Sequence, residues 1–218
     1  MPDSRHTEDP ALARDQERAF AALTEVGSAI EQGRVDDAGA AARRLLRCFE
    51  ARGDLGDEGG GTLPGFGAML LDAALWLLGA GRPEEALVLC DALIARLAAG
   101  TDSARAVAAG ARFLAAQAAA RQDDGARSRS EVEALCAMGE PALAALDRLT
   151  TRLVAAGADP VWHAQLAAAS VTVLWRLGRG PEARAIAAQA AAAFERHGDA
   201  DLARMLLALE HELSGETT

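Results

Sequence analysis

One short pattern recurs three times in this chain and narrows what it can fold into. Gly33-Arg34-Val35-Asp36-Asp37-Ala38, Gly81-Arg82-Pro83-Glu84-Glu85-Ala86 and Gly178-Arg179-Gly180-Pro181-Glu182-Ala183 each stand between two apolar runs of helical period. A glycine after a helix takes the left-handed backbone conformation that ends it. Pro83 and Pro181 fall where a new helix begins and a missing N–H costs nothing. The acids that follow lie in a first helical turn, against the positive end of the helix dipole. The alanine five residues after each glycine has little side chain, so the second helix can lie close on the first. The pattern predicts helical hairpins.

These corners resemble the turn between helices A and B of the tetratricopeptide repeat (TPR) family, whose unit is about 34 residues long. Aligned on the glycines, three units cover 19–52, 67–100 and 164–197. The family's small-residue positions 8, 20 and 27 become Val26, Ala38 and Leu45 in the first unit. They become Ala74, Ala86 and Leu93 in the second, and Val171, Ala183 and Ala190 in the last. The family's aromatic positions are mostly Ala or Leu here. The resemblance implies an all-α fold, a right-handed α-solenoid of antiparallel helix pairs. About ten helices are expected, ending in a C-terminal capping helix.

Between the clear units the punctuation loosens. Ala38 to Ala86 is 48 residues, Ala86 to Ala126 is 40, and Ala126 to Ala183 is 57. A strict array would hold near 34, about the family's period, so an interrupted solenoid is expected. Helices are predicted over 102–121, opened by a Thr101 cap, and over 126–138, after a degenerate corner at 121–126. Further helices are predicted over 142–156 and from Pro160 onward. A last one, over 199–213, carries the polar outer face that a terminal repeat needs. The domain plan is a disordered tail at 1–9, one helical domain over 10–213 and a short tail at 214–218. A flexible connector at 53–67 carries three adjacent glycines at 59–61.

Composition agrees with helices. About a quarter of the residues are Ala, the strongest helix former, and aromatic residues are only 4%. No run alternates in the β-branched and aromatic residues of strands. Every basic residue is Arg, as a GC-rich bacterial genome favours. Without Lys, neither Schiff-base catalysis nor a P-loop is available. A net charge of −10 and the lack of a basic stripe argue against nucleic acid. The polar N-terminus and the absence of a long apolar run predict no membrane span and a cytoplasmic protein.

No catalytic constellation assembles. Cys48, Cys90 and Cys136 are far apart and read as small buried hydrophobes. The four histidines show neither HxxxH nor HExxH spacing, so no metal or cofactor is expected. The paired acids read as helix caps, and no serine stands in a GxSxG elbow.

The resemblance implies instead a groove lined by the A helices. Its candidates are Phe20 and Leu23 in the first unit, and Leu71, Leu75 and Leu78 in the second. Gln165, Thr172, Trp175 and Arg176 are the candidates in the last. Trp175 and Arg176 are of types enriched at binding hot spots. The family's carboxylate-clamp members use Lys and Asn, and this chain has neither. The expected function is a non-catalytic adaptor holding a segment of another protein against an apolar face. The alternative is a small-molecule sensor or enzyme-like helical pocket, and unmatched apolar edges would allow a homodimer.

Overall fold

A computed structural model describes residues 10–52, 65–155 and 159–215. The expected tail 1–9 and most of the connector 53–67 lie outside the described residues. Gly65 caps the helix that begins at Phe66. Ser214 and Gly215, placed in the C-terminal tail by the sequence, belong to the last helix.

The described residues form ten α-helices and no strand. They are α1 (Pro10–Glu31), α2 (Val35–Arg52), α3 (Phe66–Gly79), α4 (Pro83–Leu97) and α5 (Asp102–Arg121). After these come α6 (Gly125–Ala137), α7 (Glu140–Ala155), α8 (Pro160–Arg176), α9 (Gly180–His197) and α10 (Ala200–Gly215). Two compact units result, one ending at Ser128 and the other beginning at Arg129.

The three recurrent corners share one hydrogen-bond pattern. Gly33, Gly81 and Gly178 have φ of 71°, 76° and 73°. Their amides donate to Ile30, Leu78 and Trp175 carbonyls at 2.9, 3.2 and 3.0 Å. The next amides, of Arg34, Arg82 and Arg179, donate to Ala29, Leu77 and Leu174 at 2.8, 2.9 and 2.9 Å. This is the Schellman motif, which satisfies the last carbonyls of the first helix. Ala38, Ala86 and Ala183 are fully buried where the second helix crosses the first.

Two further corners follow the same rule with an acid in place of the arginine. Asp123, at φ 59°, and Gly198, at φ 87°, end α5 and α9. Asp124 and Asp199 then donate to Ala119 and Phe194 at 3.0 and 2.9 Å.

In the first unit α3 is apolar on every side except Asp72. Such a helix must be surrounded, and α1, α2, α4 and α5 all pack against it. Met69, Leu70, Leu77 and Leu78 are fully buried there, and Phe49, Phe66 and Phe113 are almost wholly enclosed. Helix α3 touches both α1 and α5, the alternate-helix contact of a helical repeat. In the second unit α8 is flanked by α7, α9 and α10. Its core is lighter: Ala164, Ala191, Phe194, Ala203 and Leu206 form one cluster, and Val171, Leu174, Ala183 and Ala187 another.

Candidate functional site

Helices α7 and α9 both pack on α8 and leave a slot between them, entirely within the second unit. Because α7 and α9 each run antiparallel to α8, they run parallel to each other. One end of the slot lies where Arg179, from the α8–α9 corner, meets Glu140 of α7 at 2.7 Å. The other end is bounded by Val154, Pro160, His197 and Asp199. The cavity has a volume of about 1020 Å³.

Helix α8 supplies the floor through a stripe at helical spacing: His163, Ala167, Ser170 and Leu174. Helix α9 contributes Ile186, Gln189, Ala190, Ala193 and Phe194, and α7 contributes Leu143, Asp147, Thr150 and Val154. The surface is mostly apolar. Val154 is 63% exposed. The Nε2 atom of His163 is buried with no protein group in hydrogen-bonding reach. A polar atom so placed is costly until something pairs with it.

The nine residues implied by the family resemblance occupy three settings. Leu23, Leu71, Leu75 and Leu78 are buried in the core of the first unit, and Phe20 is 46% exposed on α1. Gln165, Thr172 and Trp175 lie on the face of α8 opposite the slot stripe and are half-buried, and Arg176 is exposed. Thr172 spends its hydroxyl on the Ala168 carbonyl at 2.9 Å. Trp175 packs against the cluster that Leu209 and Leu213 of α10 also cover. Its ring lies close over Gly180, and the Arg184 guanidinium sits 5.5 Å from its centroid. Trp76, 37% exposed, stacks against Gly27.

The slot residues on α9 and the His163 stripe were not anticipated. The stripe itself is visible in the sequence at i, i+4, i+7 and i+11. The face of α8 carrying Gln165, Ala168, Thr172 and Trp175 has the same small-and-polar character, so periodicity alone does not separate them.

The paired acids have a definite use. Arg34 binds Asp37 at 2.5 Å, Arg82 binds both Glu85 and Asp36, the latter at 2.7 Å, and Arg179 binds Glu182 at 2.6 Å. The carboxylate hydrogen bonds hold the Arg82 and Arg179 guanidiniums still more firmly protonated. The Arg179 hydrogen bond pushes the Glu182 carboxyl below its ordinary value of 4.5. These acids brace corners.

A second cleft, of about 480 Å³, lies between α1 and α2 with Arg18, Glu25, Arg44 and Cys48 along it. Arg44 is paired with Glu25 and Arg18 with Asp15. Burial, aided by Asp15, pushes the Cys48 thiol up, against the smaller pull of Arg18 and Arg47. Burial likewise raises the Cys136 thiol. Both shifts run opposite to what a thiolate nucleophile needs. Among the described residues no cluster of three or more His, Cys, Asp or Glu is arranged to hold a metal ion. No described helix is long and apolar enough to cross a membrane. Comparison with family models, curated proteins and solved structures found no match.

Proposed function

We propose that this chain is a non-catalytic interaction scaffold that holds a helical segment of a partner protein in the slot between α7 and α9. One observation carries the reading: two helices stand apart on a third and leave an open, mainly apolar trough with small residues on its floor. An amphipathic helix laid in such a groove buries its apolar face and keeps its polar face wet. The repeated corners support the wider reading of the helix pairs as a right-handed solenoid of TPR type. The slot is a better seat than the A-helix faces. Leu71, Leu75 and Leu78 are already buried, and Trp175 is committed to packing.

The test is selection from a display library of random amphipathic helices on the folded chain. Ala193→Trp fills the slot with neutral bulk and should abolish binding of the selected peptides. Phe20→Ser, on α1, should leave it intact. Circular dichroism and size-exclusion chromatography check that both variants fold, and Ala193→Met replaces the first if it does not. Peptides that bind Ala193→Trp as well as the parent chain would refute the slot as the site.

A further inference from the structure

The slot has a one-sided charge. Asp147 on the α7 wall, Glu182 at the start of α9 and Asp199 at its far end all line it. Its single arginine, Arg179, is already shared between Glu182 and Glu140, at 2.6 and 2.7 Å. Among the described residues no cation pairs with Asp147 or Asp199. The Glu182 charge is partly answered by Arg179, and Asp199 at the far end stands just before α10, against that helix's positive end; Asp147, midway along the α7 wall, is the carboxylate left to face the slot. His163 and His197 complete the ionisable groups of the lining.

From this charge pattern we infer that the occupant is a basic amphipathic helix of a partner protein; the inference rests on the slot being the binding site. Its apolar stripe would lie over Ala167, Ala190 and Ala193, where the absence of long side chains lets its backbone come close. Lys or Arg on its flanks would meet Asp147 and Asp199, rim pairs that steer the approach and set orientation. An acidic helix of the same shape would place like charges together, the repulsive half of specificity. The parent chain's net charge of −10 steers in the same direction.

The library selection decides the matter through the composition of the selected peptides. Peptides that depend on Ala193 should carry net positive flanks. Exchanging those flanking Lys and Arg residues for Glu should weaken binding by about tenfold or more, as should Asp147→Lys in the protein. Added salt should weaken the basic peptides and spare the neutral ones. Asp147 is exposed, so its replacement leaves the fold in place, and Asp199→Asn, which keeps a capping side chain before α10, repeats the test at the far end. If the selected peptides are blocked by Ala193→Trp yet are acidic or neutral, or ignore Asp147→Lys, the charge inference is overturned while the slot stands. If no peptide is selected, or those selected ignore Ala193→Trp, the slot itself is overturned and the inference goes with it.

Discussion

Helices α3 and α8 hold corresponding places, each the first helix of a hairpin closed by a Gly-Arg corner, and they meet opposite fates. Helix α3 is enclosed by four neighbours and buries Leu, Met and Phe around its circumference. Helix α8 is enclosed by three, and the side facing between α7 and α9 is left open. The residues account for the difference. The α3 segment has one charged residue in fourteen and must be sealed from water on every side. The α8 segment sets Ser, Thr, Gln and His among its apolar residues, and the side facing the slot is His163, Ala167, Ser170 and Leu174, so that side demands less burial and a neighbour can be absent there at little cost. A helical hairpin can therefore leave one face of its first helix open where that face turns small and polar, without any change in the corner that builds it.

The largest effect should come from cutting the same number of carbons out of each helix's surroundings. Leu78→Ala, at a fully buried site in α3, should cost about 2–5 kcal/mol in urea denaturation. Ile186→Ala, on the half-buried wall of the slot, should cost about 1 kcal/mol or less, since little surface is lost and the site is open. Equal costs would break the contrast between a sealed and an open helix.

Next come the corners. At Gly178, φ is +73° with nothing near the position of a Cβ, so Gly178→Ala should destabilise by about 1–2 kcal/mol through backbone strain alone. Asp123 holds φ 59° without being glycine, so Asp123→Gly should be neutral or stabilising by up to about 1 kcal/mol. Thermal melts of the two variants shifting in the same direction would show that the corners are not equivalent.

The thiols give a smaller and subtler signal. With Cys48 and Cys136 both pushed up by burial, alkylation of the native chain near neutral pH should run slower than alkylation of the urea-unfolded chain. Cys48, in an open cleft, should react before Cys136. A Cys48 faster than the unfolded thiols would reassign the α1–α2 cleft as an activating one.

The smallest effect is at Glu182. Its folded carboxyl titrates below 4.5, the ordinary value. The Arg179 pair therefore adds stability above that value and loses it as pH falls through the folded one. The side chain is exposed, so screening keeps the contribution slight. Glu182→Gln should flatten the stability-versus-pH curve in the acid range only, measured by urea denaturation at low salt.

Much of the fold was legible because corners are local. A glycine with positive φ, a proline in the first turn and an alanine at the crossing are all read from six consecutive residues. The structure places five corners with the same pair of backbone hydrogen bonds, two of them with the proline and one, at Asp123, with the glycine missing. The slot was not legible for the converse reason. It depends on the spacing of α7 and α9, which never touch enough to leave a mark on either sequence. Ala167, Ala168 and Ala169 are consecutive and equally small, so nothing in them says which side faces the gap. Trp175 stood out as an aromatic beside an arginine, but Gly180 beneath its ring is what fixed its packing.

The alanines lining the slot carry a thermodynamic consequence. Ala167, Ala190 and Ala193 have no rotamers, so a visitor settling on them freezes nothing that was free before. On the proposed reading, the ordering cost of association would fall on the incoming chain and on the few long side chains of the walls. A surface of this kind arrives already arranged, and affinity at it would be governed by how readily the visitor becomes helical on its own.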